Sequence, residues 1–125
     1  MTNYQIADFL IRLKNASMAG IKAVEFPKTN LVLAVSKTLK KEGFLDTVTE
    51  KDNLISVTLA IFMKKPVLSN VKIISRPGLR IYKNVDELLA IKTPETFILS
   101  TPKGVMAHKE AIKQRTGGEV IAKVI

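Results

Sequence analysis

Two strings in the C-terminal half of this 125-residue chain gather polar chemistry. Ser100-Thr101-Pro102-Lys103-Gly104-Val105 sets two hydroxyls, an ammonium and a glycine after an apolar run. Hydroxyls donate to phosphate or accept from base edges, and glycine lets a ligand backbone come close. The loop leads toward a helix, whose N-terminal amides would add donors for an anion. The spacing is not that of a nucleotide-binding P-loop, because G-x-x-x-x-G-K is absent. Ser75-Arg76-Pro77-Gly78-Leu79-Arg80-Ile81-Tyr82 reads as strand–turn–strand, with Pro77 presetting φ and Gly78 accepting a positive one. Leu79 and Ile81 then share one face; Arg80 and Tyr82 share the other, suited to gripping phosphate and presenting an aromatic or hydroxyl contact. Gly117-Gly118-Glu119 reads as a helix C-cap and turn. Each string also has a plain reading: a soluble hairpin, a helix-entry loop, an ordinary cap.

Catalytic chemistry finds little to work with. No cysteine is present, which excludes disulfides, zinc–thiolate sites and thiol nucleophiles. The single histidine, His108, stands beside Lys109 and Glu110 and is expected to be solvated. Asp86-Glu87 suits the first turn of a helix, where carboxylates favour the dipole. No acid pair, metal-ligand spacing or Ser/His/Asp arrangement stands out, so no metal, cofactor or catalytic residue is expected. The rival reading is a basic RNA-modifying or nucleolytic enzyme using His108 with Glu110 or Glu119.

Charge points to a polyanion. Twenty Lys and Arg oppose 11 Asp and Glu, a formal charge of +9. Residues 1–62 carry a net +2 and residues 63–125 a net +7. A basic half on a folded domain releases counterions from bound phosphates. A surface selected only for solubility, or a DNA- or RNA-binding module without a fixed target, would show the same balance. No signal-peptide pattern precedes Asp8, Arg12 and Lys14, and the longest uncharged run, Asn53 to Met63, is far below the roughly 20 residues of a membrane span. The expected setting is the cytoplasm, with no membrane partner.

These residues need elements to position them. Ile6, Phe9, Leu10 and Leu13 fall at helical spacing, which predicts a helix over 3–18 with Thr2 or Asn3 as cap and Gly20 as terminator. Lys22 to Phe26 reads as a strand. Thr29 or Asn30 then caps a second helix with Leu31, Val35 and Leu39 inward, ended by Gly43. The period changes to two over Phe44 to Glu50 and Leu54 to Phe62, a hairpin turning at Lys51-Asp52-Asn53. Lys64-Lys65-Pro66 reads as a connector. Beyond it come strands over Val67 to Ser75, Leu79 to Lys83 and Thr96 to Ser100, and a one-turn helix from Asp86. A short helix over Ala107 to Arg115 and a strand over Val120 to Ile125 complete the order. The expected fold class is α+β in two small lobes: residues 1–63 as α-β-α-β-β, and residues 67–125 as a β-rich lobe with one short helix. Leu68, Leu88 and Ile91 fit either a core or a contact with a neighbouring protein.

Taken together, the strings resemble a known family, the bacterial form of the eighth protein of the small ribosomal subunit. Ser75 to Tyr82 is similar to that family's central signature, Ser100-Thr101-x-Lys103-Gly104-Val105-Met106 to its RNA-binding loop, and Gly117-Gly118-Glu119 to its closing turn. Ile6-Ala7-Asp8-x-Leu10-x-Arg12-x-x-Asn15 resembles its first helix, and Lys41-Glu42-Gly43-Phe44 the end of its second. The similarity is colinear over the whole chain. It implies a non-enzymatic protein that binds an irregular helix in the central domain of 16S rRNA and joins early in assembly. In some bacteria such proteins also repress a messenger carrying a mimic of that site. Ser100, Thr101, Lys103 and Gly104 would meet the RNA, with Arg80, Tyr82, Gly118 and Glu119 at or beside the contact. Lys28, Thr29 and Asn30 match a segment touching the RNA backbone. Neighbouring small-subunit proteins, ribosomal protein five among them, are the implied protein partners. Pro102 departs from the family, which usually has serine there; proline removes a hydroxyl and an N–H. Either Ser100 and Thr101 carry the polar contact, or the RNA is read differently.

Overall fold

The computed structural model describes residues 4–125. Helix α1 (Tyr4–Ala19) buries Ile6, Phe9, Leu10 and Leu13 on one face, as the spacing requires. The cap expected at Thr2 or Asn3 lies outside the described residues. Strand β1 (Ala23–Pro27) alternates, with Val24 and Phe26 inward, and Phe26 meets the Phe9 ring at 5.3 Å between centroids. Helix α2 (Asn30–Lys41) starts at Thr29, whose hydroxyl accepts from the Val32 N–H at 3.1 Å. It stops at Gly43, where φ is +91° and the Phe44 N–H reaches back to the Leu39 carbonyl, a Schellman closure. Its stripe is Val32, Val35 and Leu39; Leu31 is only half-buried.

Strands β2 (Leu45–Lys51) and β3 (Leu54–Leu59) form the expected hairpin, and β3 lies between β1 and β2 in an antiparallel three-stranded sheet. The second strand of that hairpin ends earlier than its apolar pattern suggests. Ile61 and Phe62 leave it as β4 (Ile61–Phe62), which pairs with β5 (Lys65–Pro66). The expected connector at Lys64-Lys65-Pro66 is therefore half of a small hairpin turning at Met63-Lys64. The strand expected from Val67 is confined to β6 (Val71–Ile73), because Leu68 turns into the core and its carbonyl accepts from the Ser17 hydroxyl.

The remaining strands are β7 (Tyr82–Lys83), β8 (Thr96–Thr101), β9 (Gly104–Ala107) and β10 (Gly118–Val124). They form a five-stranded sheet with β6 in which β10 is central: β8 pairs on one edge, and β6 and β7 share the other. A bulge between Val120 and Ala122 sets which way β10 faces. Val120 points to a cluster with Leu88, Leu99, Met106 and Ala111, while Ala122 and Val124 join the larger core around Phe9, Leu10 and Leu13. That larger core takes residues from both sheets. Both helical segments read in this half are present, so the lobe holds two short helices and not the one of its expected fold class: α3 (Val85–Leu89) with an Asn84–Glu87 capping box, and α4 (His108–Lys113). Leu68 and Leu88 are core residues, each 1% exposed, and Ile91 packs partly buried beside Leu88. The architecture is α+β. Among the described residues no helix is long and apolar enough to cross a membrane.

Candidate nucleic-acid interface

Strand β10 begins between β7 and β8, and that position assembles the site. Glu119 lies opposite Tyr82 on one side and Ser100 on the other, and Gly118 lies opposite Lys83. Three segments widely separated in sequence thus meet at two residues. Gly118 permits the approach: a Cβ there would fall on the Ser100 carbonyl oxygen and within 3.0 Å of the Thr101 Cα. Gly117 is equally hemmed, with the Asn84 Cα 2.8 Å from where its Cβ would stand. Neither glycine caps α4, as the sequence suggested. Arg115, at φ 54°, takes the left-handed position after that helix. The glycines serve close packing.

The Ser75–Tyr82 string is an excursion between β6 and β7. Its turn closes through reciprocal bonds between Arg76 and Leu79, both 2.9 Å. Gly78 does not adopt the positive φ expected of it. Leu79 is 63% exposed instead of facing inward with Ile81, because the strand proper starts only at Tyr82. Ser75 anchors the excursion: its hydroxyl donates to the Val120 carbonyl at 2.6 Å and accepts the Ile81 N–H at 3.0 Å. Arg80 then reaches Glu119, Nη1 to Oε2 at 3.2 Å, and Tyr82 stands largely exposed.

Two depressions flank this meeting point. One is a cleft lined by Ser75, Arg76, Arg80, Ser100 and Glu119, closed from the other side by Ile6 and Leu31. The other is a shallow basin between Tyr82, Asn84, Pro102 and Gly117. Ser100 and Glu119 line both, so they form the ridge between them. Leu31 brings the start of α2 to the cleft, and Asn30 is the helix residue before it. Thr29 has its hydroxyl engaged as cap, and Lys28 turns to Glu50 at 2.8 Å, holding that carboxyl below its usual pKa range. Arg76 was not singled out from the sequence, although it stands in the same string as Arg80.

The expected loop at 100–104 is a hairpin turn between β8 and β9, not an entry into a helix. Strand β9 intervenes before α4, so the turn does not lead into a helix N-terminus as expected. The two hydroxyls differ sharply. Thr101 is buried; its Oγ1 donates to the Gly104 carbonyl at 2.7 Å and accepts the Lys103 N–H at 3.1 Å. Ser100 has no side-chain partner among the described residues. The Lys103 ammonium extends to the Gln114 carbonyl at 3.1 Å, at the end of α4, where a cation suits the helix dipole. Pro102 occupies a turn position at which a backbone N–H is not required.

His108 corrects the expectation of exposure. It is 5% exposed, its Nδ1 accepts the Phe97 N–H at 3.0 Å, and the Phe97 ring meets it edge-on. Burial, reinforced by the Lys109 charge, lowers its pKa. It is a neutral structural histidine. Its link to Glu110 is only one of sequence, since that carboxylate pairs with Lys41 and Gln114.

Comparison with known proteins agrees with the colinear motifs. The family described as "Ribosomal protein S8" matches residues 4–125. The chain is 40% identical to the small ribosomal subunit protein uS8 of Roseiflexus castenholzii, over 98% of this chain and 97% of that one. It is 42% identical to the protein of the same name from Pseudomonas fluorescens, over 95% of each. A third, from Acinetobacter baumannii, is 40% identical over 95% of each. The chain belongs to the ribosomal protein S8 family, a structural component of the small ribosomal subunit.

Proposed function

We propose that this chain binds 16S rRNA at an irregular helix of the central domain, through the ridge where β7, β10 and β8 meet. The observation that carries this is the convergence of Arg80, Tyr82, Ser100 and Glu119 around a glycine whose missing side chain allows it. A-form helices keep their base edges in a deep, narrow groove, so a reader must use distorted regions, the minor groove and 2′-hydroxyls. A narrow ridge with a free hydroxyl and a carboxylate, flanked by cations, suits such a region. Ser100 accepts or donates, Glu119 accepts from exocyclic amines or 2′-hydroxyls, and Arg76, Arg80 and Lys83 face phosphates. Asn30, the helix residue before the cleft-lining Leu31, meets the backbone of the same RNA helix. Ser100 takes the discriminating role and Thr101 shapes the turn beneath it, which also explains how proline is tolerated at 102.

On this reading residues 67–125 form the RNA-binding lobe and residues 1–63 support it. The protein acts by binding, without catalysis. It joins early in subunit assembly beside neighbouring proteins, ribosomal protein five among them, and represses a messenger where one carries a mimic of the rRNA site. Competition measures the central claim. The chain should keep its preference for a central-domain rRNA fragment over tRNA and duplex DNA as salt rises, because base and shape contacts are insensitive to counterions. One common affinity and salt slope on all three nucleic acids would overturn it. In the same assay Arg76→Ala should lower the slope by about one phosphate contact.

A further inference from the structure

The pairing of β7 with β10 stops after two residues, at the ridge, and the way it stops is unusual. Tyr82 lies opposite Glu119, so the next residues to face each other are Ile81 and Val120. An antiparallel pair of this kind exchanges two backbone bonds. One is direct, from the Val120 N–H to the Ile81 carbonyl at 2.8 Å. The other runs through a side chain. The Ile81 N–H donates to the Ser75 hydroxyl at 3.0 Å, and that hydroxyl donates to the Val120 carbonyl at 2.6 Å. A direct bond would bring the Ile81 nitrogen to about 2.9 Å from the Val120 oxygen; a hydroxyl in series holds the two strands apart on that side. One residue further on, the Ile121 carbonyl accepts from the Ile74 N–H at 3.0 Å. Strand β10 therefore passes from β7 to β6 at Ser75, beside the bulge at Val120 and Ala122 that shifts its register against β8.

The residues on either side of this wedge are those of the ridge. Arg80 precedes Ile81 and Glu119 precedes Val120, and the two meet at 3.2 Å. Glu119 in turn lies opposite Ser100. Ser75 itself lines the cleft with Arg76, Arg80, Ser100 and Glu119. The spacing of β7 from β10 thus sets where the Glu119 carboxylate and the Ser100 hydroxyl stand relative to the arginines. Phosphate contacts tolerate a small displacement, because charge acts over several ångströms. Hydrogen bonds to base edges and 2′-hydroxyls do not, since they weaken steeply beyond about 3.2 Å.

We propose that Ser75 is a positioning residue for RNA discrimination: its hydroxyl wedges β7 from β10 and holds Glu119 and Ser100 in reading position. The inference rests on the ridge being the RNA-reading surface. Its test uses the full chain, a central-domain rRNA fragment, and the same fragment with its irregular segment replaced by regular base pairs. Without the hydroxyl, Ile81 and Val120 close their direct bond, so Ser75→Ala leaves no stranded amide and the chain folds, as a cooperative urea transition checks. Its preference for the irregular fragment should fall about tenfold, the order of one lost hydrogen bond to a charged group, at an unchanged salt slope, because the phosphates contacted are the same. Ser75→Thr returns the hydroxyl and should restore the preference. A merely structural role would leave the preference untouched in the folded variant. An unchanged preference in Ser75→Ala overturns the proposal, as does a loss of affinity that is equal on both RNAs or a threonine variant that behaves like alanine. If the unsubstituted chain does not distinguish the two fragments, it is the RNA reading of the ridge that fails, and this inference with it.

Discussion

The hairpin of β8 and β9 turns at Pro102-Lys103 and that of β4 and β5 turns at Met63-Lys64, and the two tips treat their side chains in opposite ways. At the first, proline fits the turn, Thr101 binds Gly104 and the Lys103 amide, and the Lys103 ammonium rests on the end of α4. At the second, two residues hold a disfavoured backbone and their side chains form no hydrogen bond or ion pair among the described residues. The difference teaches how a small basic protein divides its work. A rigid turn fixes the neighbouring ridge for recognition, while a strained turn displays its own side chains. The sharpest way to break that division is to disturb the rigid turn from below. Gly118→Ala drives a methyl into the Ser100 carbonyl and the Thr101 backbone, neither of which is a flexible end. We expect a loss of about 3 kcal/mol in denaturant unfolding, with loss of rRNA binding, since overpacking against backbone costs that order. A shift below about 1 kcal/mol would mean that β8 and β10 part easily and the turn is not rigid.

A pair of substitutions separates support from recognition at the next smaller scale. Thr101→Val keeps the shape and removes both turn bonds, so stability should fall by about 1.5 kcal/mol. Ser100→Ala removes a hydroxyl without a protein partner; stability should stay within about 0.5 kcal/mol, while rRNA affinity drops by about 1 kcal/mol. Equal behaviour of the two variants in unfolding and binding assays would erase the distinction between them.

The amphipathic spacing in α1 and α2, the two glycine stops and the first hairpin were all legible in the sequence, because local period and capping chemistry decide them. The site was legible as a set of strings but not as a surface. Nothing local says that Glu119 lies between Tyr82 and Ser100, since that follows from β10 sitting centrally and from its bulge at 120–122. His108 beside Lys109 and Glu110 suggested a solvated residue, yet packing against Phe97 buries it. Thr101 and Ser100 were indistinguishable in sequence because the turn bonds that occupy one hydroxyl depend on strand register. The Lys64-Lys65-Pro66 segment misled through composition: lysine and proline suggest a linker, whereas Phe62 opposite Lys65 makes it a strand.

The strained tip gives the comparison its third test. Lys64→Gly relieves one left-handed residue and should stabilise the chain by about 1 kcal/mol, read as a higher urea midpoint at unchanged slope. No gain would show that the lysine chain has interactions offsetting its backbone conformation, and the contrast with the rigid turn would weaken.

The smallest expected effect is a pH dependence confined to the C-terminal hairpin. His108 follows β9, and its Nδ1 accepts the Phe97 N–H at the start of β8, so it ties the base of that hairpin. Its folded pKa is lowered, chiefly by burial and then by Lys109, with Glu42 and the Phe97 bond opposing. A depressed pKa means that the unfolded chain binds the proton more readily. The stabilisation is therefore complete above the unfolded value of about 6.5 and declines as pH falls below it toward the folded value. It is the only histidine in the chain, so between about pH 7 and pH 5.5 it titrates largely alone. Over that window unfolding stability should decline and Phe97 amide exchange should speed up, with Ile61 and Phe62 unaffected. His108→Asn offers an acceptor that does not titrate, and should flatten the decline. If the slope survives that substitution, the acid sensitivity has another source, and the two hairpins no longer differ in their response to pH.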